Sequence, residues 1–311
     1  MNAPFRSFKT LARQYVAHRR DFGFSLRRAA YSVSAFARFA DRTAPGTPLT
    51  VGLAIRWAMR RPALPVTVAY RLSAIRSFAR YCASIDPRTQ IPPSHLTHNV
   101  GRRRAPHIFT QAQVRLILRH TKALRPWRTD LRPLTCRTFI SLLACTGIRP
   151  SEAVRLRDED FDPAAQTLTL RPVKYSRGRT IPLHPSTVRA LKSYQRIRRG
   201  RFPLADQFFV GPFGRPFTIH AASRTFRGLA RDIPCNGARA RPRLYDFRHT
   251  FATRQVAQWA RQTVPLTHHL VLLSRYLGHK YFRHTYWYVQ QERSALRAAA
   301  SRFQRYSDQI S

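Results

Sequence analysis

Apolar residues recur every three or four positions in four stretches of the first 86 residues, which is the spacing of a helix buried on one face. The stretches are residues 8–22, residues 26–40, a short segment after Thr50, and a longer one from Pro65 to about Ser84. The pattern predicts a domain of four helices over residues 1–86. Its inward side chains are expected to be Phe8, Leu11, Tyr15 and Phe22 in the first helix, Leu26, Ala29, Val33, Phe36 and Ala40 in the second, Leu53 and Trp57 in the third, and Leu72, Ile75, Phe78 and Cys82 in the fourth.

The apolar period stops between residues 87 and 105. This segment contains Pro87, Pro92 and Pro93 and the basic run Gly101–Arg104. Prolines and clustered cations without an apolar period are typical of a connection between domains. We therefore predict a basic linker over residues 87–105.

A second domain is predicted over residues 106–311. Thr110 and Gln113 have the spacing of a capping box at the start of a helix, and residues 157–183 alternate like β-strands around a turn at residues 174–178. The fold class is mostly α with a small antiparallel β-sheet, that is, α+β. Helices are expected at about residues 110–120, 134–146, 186–198, 220–232, 245–260, 267–277 and 291–304.

The charge balance changes the picture most. The chain has 56 Lys and Arg against 14 Asp and Glu, a net charge of +42, and its arginines are spread along the whole length. Such a field attracts a polyanion, so nucleic acid is the expected partner. No apolar run approaches 18 residues and no basic amphipathic stretch has a broad apolar face, so no membrane partner is expected.

The cations of the first domain lie opposite its apolar positions. Up to Ala105 the acids are Asp21, Asp41 and Asp86, whereas an ordinary solvated face mixes both signs. These arginines are therefore expected to bind DNA, as is Arg179 on the returning strand of the predicted hairpin. The DNA-binding set is Arg27, Arg28, Arg38, Arg71, Arg76, Arg80, Arg102, Arg103, Arg104 and Arg179.

Metal and cofactor chemistry are not indicated. The four cysteines form no CxxC pair, the histidines form no cluster with ligand spacing, and no phosphate-binding glycine loop is present. The N-terminus lacks an apolar segment of the signal-peptide type, so the thiols are expected to be free or buried in a reducing cytoplasm.

Candidate chemistry is concentrated in the last third of the chain. Arg248 lies on a predicted helix, His279 follows a glycine turn, and Tyr288 comes nine residues after that histidine. Arg149 stands before Pro150 at a predicted helix start, where backbone N–H groups favour a phosphate. These side chains suit a site that holds and attacks a phosphodiester.

Three fragments together resemble the tyrosine recombinase (phage-integrase-type) family. They are Thr146–Glu152, the hairpin with Lys174 and Arg179–Leu183, and the segment from Arg248 to Tyr288 that contains Leu277–His279. The resemblance covers about residues 106–290, and more loosely it makes the N-terminal helices a core-binding domain. It implies that Arg149 and Arg248 hold the scissile phosphate, Glu152 orients Arg149, Lys174 protonates the leaving 5′ oxygen, His279 donates to a non-bridging oxygen, and Tyr288 is the nucleophile.

The sequence departs from the family at two places. The family has a histidine three residues before the second arginine, where this chain has Tyr245, which forms hydrogen bonds but is a poor general base near neutral pH. The spacing from Arg248 to His279 is also longer than usual, which predicts a small insertion within residues 255–270. The ending Thr285–Tyr288 is similar to recombinases carried in threes by some bacterial mobile elements.

The resemblance implies cleavage and rejoining of DNA through a 3′-phosphotyrosine link, with no cofactor. It further implies site-specific recombination or integration on a mobile element, with a tetramer on two duplexes that includes other recombinases. Two alternatives use the same residues: relaxation of supercoils as in type IB topoisomerases, and a catalytically silent DNA-binding accessory protein, which Tyr245 keeps open. A ribosomal or RNA-binding function explains the charge but not the order of Arg149, Lys174, Arg248 and His279 before Tyr288.

Overall fold

The computed structural model describes residues 7–97, 105–126, 131–172, 178–234, 241–260 and 266–291. The chain divides into two compact units, residues 1–104 and residues 105–311. The first unit contains helices only within its described part, and the second adds a small sheet. None of the described helices has the length and apolar character that crossing a membrane requires.

The first unit packs four α-helices around an aromatic core. Ser7 and Thr50 cap the helices that follow them, because each side chain accepts a hydrogen bond from a backbone N–H in the first turn. The rings of Phe8, Trp57 and Phe78 each meet Phe36 edge to face. The helices are α1 (Phe8–Asp21), α2 (Arg27–Thr43), α3 (Val51–Met59) and α4 (Pro65–Ala83).

The expected inward position of Phe22 is wrong. Helix α1 ends at Asp21, and Phe22 lies in the turn with 67% of its surface exposed. Its ring packs at 5.0 Å, edge to face, against His18. The apolar period therefore overstated the length of the first helix by one residue.

The second unit begins with the predicted capping box. Thr110 accepts from the backbone of Gln113, and the Gln113 side chain accepts from the backbone of Thr110. The helices of this unit are α5 (Gln111–His120), α6 (Leu131–Thr146), α7 (Pro150–Ala153), α8 (Pro185–Arg201), α9 (Ile219–Leu229), α10 (Asp246–Trp259), α11 (Leu266–Leu277) and α12 (Arg283–Gln291).

The sheet consists of three antiparallel strands in the order β1 (Phe161–Asp162), β2 (Thr167–Leu170) and β3 (Arg179–Pro182). Leu168 pairs with Phe161 on one side and Ile181 on the other, and these three side chains are buried. The alternation of buried and exposed residues that predicted the hairpin is thus present in β2 and β3. Residues 173–177, which include Lys174 and most of the turn predicted at residues 174–178, lie outside the described residues.

Helices α10, α11 and α12 share a small apolar core of their own. Ala252, Val256, Leu270, Leu277 and Tyr288 belong to it. The sequence did not predict α12, because its apolar residues are aromatic and stand between polar ones. The helix predicted at residues 291–304 lies outside the described residues except at Gln291.

Candidate active site

Two glycines with left-handed backbones fix the loops that carry the candidate residues. Gly147 (φ +62°) ends α6 just before Arg149, and Gly278 (φ +63°) ends α11 just before His279. A β-carbon on Gly147 would lie 2.6 Å from the Phe251 side chain, and one on Gly278 would lie 2.7 Å from the Arg179 guanidinium. Positive φ and close contact both require glycine here.

The two candidate arginines donate hydrogen bonds to the backbone of the two loops that carry the site. Arg248 contacts both loops, and Arg149 contacts the loop after α11. Arg248 on α10 donates from Nη1 to the carbonyl oxygen of Gly147 (3.1 Å) and from Nη2 to that of Leu277 (2.6 Å). Arg149 donates from Nη2 to the carbonyl oxygen of Gly278 (2.9 Å). These bonds, which we call the crossed ties, bring the α6–α7 loop and the α11–α12 loop together at one place.

Glu152 holds two arginines. Its carboxylate accepts from the Arg149 backbone N–H (2.9 Å) and Nη1 (2.8 Å), and from Arg179 Nη1 and Nη2 (3.0 Å each). Burial opposes ionisation of this carboxyl, but the hydrogen bonds and charge of Arg179, then of Arg149, outweigh burial and lower its pKa to about 2. Glu152 is therefore a carboxylate, and it contacts Arg149 directly.

The expectation that Arg179 contacts DNA does not fit the structure. Its side chain is 11% exposed and is engaged by Glu152, and its Nε donates to the backbone oxygen of Tyr276 at 2.6 Å. Gly278 packs against the same guanidinium. Arg179 is therefore a largely buried residue that joins β3 to Glu152 and to the end of α11. The spacing of residues within one hairpin could not reveal these contacts.

Arg248 is buried without a carboxylate partner in the described part of the chain. It is 1% exposed, and among the described residues its guanidinium donates to two carbonyl oxygens. Burial, followed by repulsion from Arg149, lowers its pKa to about 10, so it remains charged at neutral pH. Because no carboxylate among the described residues forms a hydrogen bond with it, this buried cation favours an incoming anion such as a phosphodiester.

Tyr288 lies on α12, with 2% of its surface exposed. Its ring is nearly parallel to that of His279, with centroids 6.2 Å apart, and 5.7 Å from the ring of His249. Burial raises the pKa of Tyr288 to about 12 against the opposing charge of Arg248. The tyrosine therefore lies beside a cation but is fully protonated at neutral pH.

His279 is a neutral imidazole. Its backbone N–H donates to Ser274 (3.0 Å), and its Nδ1 lies 2.6 Å from Oγ1 of Thr285, which is fully buried. Burial and the charges of Arg248 and Arg149 lower the pKa of the ring to about 3. A neutral imidazole has one N–H, so its tautomer decides whether it donates toward a phosphate.

Tyr245 immediately precedes α10 and is 41% exposed. Its ring meets His249 edge to face at 5.2 Å, and His249 in turn contacts Trp287 at 5.3 Å and Tyr288. Sequence reasoning missed His249 and Thr285. A one-turn spacing from Tyr245 to His249 and a three-residue spacing from Thr285 to Tyr288 were the available signals.

The predicted DNA-binding arginines of the first unit fall into two groups. Arg28, Arg38 and Arg80 are exposed, and the Arg28 guanidinium stacks 4.0 Å over the Tyr70 ring. Arg71 and Arg76, in contrast, donate hydrogen bonds to backbone carbonyl oxygens. Arg71 donates to that of Ala58 (2.8 Å), and Arg76 donates to those of Pro92 (2.6 Å) and Pro93 (2.8 Å). These two arginines have a structural function that their sequence positions did not indicate. The side chain of Arg27 and the run Arg102–Arg104 lie outside the part of the chain that the structure describes.

A basic pocket on the second unit was also missed. It has a cavity volume of about 380 Å³ between α5 and α6, and no acidic side chain lines it. Its charged lining is Arg115, Arg119, Lys122 and Arg137. Within the described ranges, no three His, Cys, Asp or Glu side chains cluster as metal ligands would.

Solved structures of recombinases share this fold. The Tn1549 transposon integrase, solved in complex with transposon right end DNA, matches with a TM-score of 0.68 and 18% identity, over 97% of this chain and 100% of that one. A lambda integrase dimer bound to a core site matches with a TM-score of 0.61 and 14% identity, over 90% and 76% of the two chains. The fold is that of the tyrosine recombinases.

Sequence comparison leads to the same class. Residues 107–294 match the phage integrase family. A Sinorhizobium fredii (strain NBRC 101917 / NGR234) protein named as an integrase/recombinase, y4rB, is 34% identical over 308 residues, 96% of this chain and 98% of the relative. The tyrosine recombinase XerC of Chlamydia caviae is 27% identical over 196 residues, 60% of this chain and 58% of that protein. The chain belongs to the phage integrase family of tyrosine recombinases.

Proposed function

We propose that this chain is a site-specific DNA recombinase that cleaves and rejoins strands through a covalent link to Tyr288. One observation carries the proposal: Tyr288 lies against the buried cation Arg248, which is tied to the loop of Arg149 and to the loop of His279. Arg149, Arg248, His279 and Tyr288 thus lie near one another. Such a cluster suits a phosphodiester, whose transition state gathers negative charge on its non-bridging oxygens.

The charge on that transition state is met by Arg149, Arg248 and the N–H of His279. Two guanidinium groups form hydrogen bonds with phosphate oxygens in a fixed planar geometry, which a lysine does not reproduce. Because Glu152 offsets only one of the two charges of Arg149 and Arg179, while Arg248 has no carboxylate partner among the described residues, the site retains positive charge for the phosphate.

The reaction exchanges one phosphoester for another. The Tyr288 oxygen forms a bond to phosphorus, and the bond from phosphorus to the 5′ oxygen breaks. Lys174 gives a proton to the leaving oxygen, in the part that the family resemblance assigns to it, and the tyrosine proton passes to water. With a pKa of about 12, Tyr288 loses that proton during the attack and not before, because ionising it at pH 7 costs roughly 7 kcal/mol. Rejoining reverses the step, so no energy source is consumed.

The partner in this proposal is double-stranded DNA. The protein binds two duplexes as a tetramer, together with other recombinases of the same mobile element. Exposed Arg28, Arg38 and Arg80 support backbone contact by the first unit. The basic pocket lined by Arg115, Arg119, Lys122 and Arg137 supports it in the second unit.

The test is formation of a covalent protein–DNA adduct. A duplex selected for binding from a random pool is nicked near the cleavage position, so that the cut strand is lost and the adduct accumulates. We expect the unchanged chain to form the adduct, Tyr288→Phe to bind the duplex equally well with no adduct, and Tyr286→Phe to retain the adduct. Tyr286 is a matched control on the same helix, with 50% of its surface exposed.

The two alternatives give different results in the same assay. An adduct that persists in Tyr288→Phe and disappears in Tyr286→Phe would reassign the nucleophile. DNA binding without any adduct, in the unchanged chain and in Tyr245→His alike, would favour the accessory protein. Relaxation of supercoiled DNA by a single chain, without exchange between two sites, would favour a topoisomerase-like activity.

A further inference from the structure

We infer that Thr285 is a positioning residue, which sets the tautomer of His279 so that the imidazole donates its one N–H toward the phosphate. The inference rests on the proposed function and deepens it. Its geometric basis is the hydrogen bond of 2.6 Å between Thr285 Oγ1 and His279 Nδ1, with Thr285 wholly buried beneath the ring.

The bond could run in either direction on distance alone. If Nδ1 carried the proton, it would donate to the threonine oxygen, and Nε2 would present a lone pair to the site. If the threonine hydroxyl donates, Nδ1 is the acceptor and the proton sits on Nε2. Only the second arrangement gives the site a donor for a non-bridging oxygen, which a lone pair would repel.

The position of Thr285 makes its hydroxyl available as that donor. Buried helical threonines commonly donate to the carbonyl four residues earlier, as Thr146 does to Leu142 (2.6 Å) and Thr250 does to Asp246 (2.8 Å). Thr285 instead lies in the first turn of α12, and within the described residues its hydroxyl bonds to the imidazole. The proton that elsewhere closes a helical turn is directed here at His279.

The surroundings keep the ring from taking a second proton. Burial, and then the charges of Arg248, Arg149, His284 and Arg179, lower the pKa of His279 to about 3. A protonated ring would donate from both nitrogens and would need no selection. A neutral ring has one proton to place, so the neighbour of Nδ1 decides where it goes.

The same bond also aligns the nucleophile. Thr285 and Tyr288 are three residues apart on α12, so both face the same side of the helix. The Tyr288 ring lies nearly parallel to the imidazole, with an interplanar angle of 18°. Fixing the ring of His279 from Thr285 therefore fixes the position of the imidazole relative to the tyrosine.

The test compares Thr285→Val, which keeps the shape and removes the hydroxyl, with Thr285→Ser, which keeps the hydroxyl. We expect Val to slow adduct formation about tenfold at unchanged duplex affinity, as the loss of one hydrogen bond to the transition state would, and Ser to stay within about twofold. Thr253→Val is the control, because Thr253 is also a buried helical threonine and its hydroxyl has no hydrogen-bond partner in the described structure.

A second measurement needs no activity. In nitrogen-15 histidine spectra, assigned to His279 by comparison with His279→Asn, the unchanged chain should show Nε2 protonated and Nδ1 bare. Thr285→Val should add the Nδ1–H form, and Thr285→Ser should not. A proton on Nδ1 in the unchanged chain, or equal slowing by Val and Ser, would overturn the inference. If the chain forms no adduct with any duplex, the proposed function fails, whereas the spectra still decide the tautomer.

Discussion

The two candidate arginines lie in regions that handle charge in opposite ways. Around Arg149, in the α6–α7 loop and β3, one carboxylate accepts from two guanidinium groups, and the pKa of Glu152 falls to about 2. Around Arg248, in α10 to α12, the described acceptors are carbonyl oxygens, and the pKa of the arginine falls to about 10. The first region is partly neutralised by its carboxylate, and the second has no carboxylate among its described hydrogen-bond partners.

This difference separates two contributions to a phosphate site, the orientation of a guanidinium group and its electrostatic field. A guanidinium that is bound to a carboxylate is held in one orientation, and part of its field is cancelled before any ligand arrives. A guanidinium that is held by carbonyls is oriented too, yet it keeps its net charge. One region therefore supplies a fixed geometry, and the other supplies the charge that an incoming phosphodiester meets.

The largest effect is expected from Glu152→Ala. Removing the carboxylate leaves the two partly buried guanidinium groups of Arg149 and Arg179 without it, and breaking such a buried pair costs about 4 kcal/mol. The free energy of unfolding, measured by urea denaturation, should fall by about that amount. Glu159→Ala is the control, because its side chain is 62% exposed and its surface pair with Arg171 should contribute far less to the free energy of unfolding. Equal losses in the two variants would contradict a special part for Glu152.

A smaller effect on the free energy of unfolding is expected at Gly147, whose carbonyl oxygen links the Arg149 region to Arg248. Gly147→Ala forces a β-carbon to 2.6 Å from Phe251 at a positive φ, and it displaces the carbonyl oxygen that Arg248 uses. Strain and overpacking together should lower the free energy of unfolding by about 3 kcal/mol. Gly23→Ala has a similar φ of +76° but nothing within 4 Å, so about 1 kcal/mol is expected. If both substitutions cost the same, the contact with Phe251 is unimportant.

The smallest effect is expected in the pH dependence of the free energy of unfolding, to which His279 and Glu152 contribute in different pH ranges. His279 has a folded pKa of about 3 against an ordinary 6.5, and Glu152 has one of about 2 against 4.5. Both folded values are depressed, so both groups contribute stability that is present above the unfolded pKa and lost as pH falls. Between pH 6.5 and 4.5 only His279 of this pair responds, and at pH 5 it should cost about 2 kcal/mol.

His279→Asn removes that response. Urea denaturation of the unchanged chain and of the variant at pH 7 and pH 5 should therefore show a smaller loss on acidification in the variant. Other titrating groups are common to both chains and cancel in the difference. An equal loss in the two would mean that His279 is not held neutral.

The sequence predicted those parts of the molecule that depend on neighbouring residues. The capping box at Thr110 and Gln113, the glycine turn before Arg149, and the alternating strand at residues 167–170 follow local rules and are present in the structure. Phe22 is the instructive failure, because a helical period cannot tell where a helix ends.

Contacts between distant residues could not be predicted in the same way. Arg179 is 27 residues from Glu152 and 97 from Tyr276, so its spacing in a basic hairpin indicated DNA and not a buried support. Thr285 was passed over because a threonine between aromatic residues carries no signal until His279 is beside it. The burial of Tyr288 likewise depends on α10 and α11, which pack over α12.

The crossed ties also determine when the site can exist. Two of them join residues 101 and 129 positions apart in the chain, so each of these two closes a loop far longer than a helix or a hairpin. Contacts of such long range form late in folding, after the entropy of closing the loop has been offset by other packing. A chain still emerging from the ribosome lacks these contacts until Leu277 and Gly278 have been made, so neither arginine is fully anchored in a shorter chain. The pair of anchored arginines is consequently expected to be a late product of folding, because it forms only in a molecule that already carries Leu277 and Gly278.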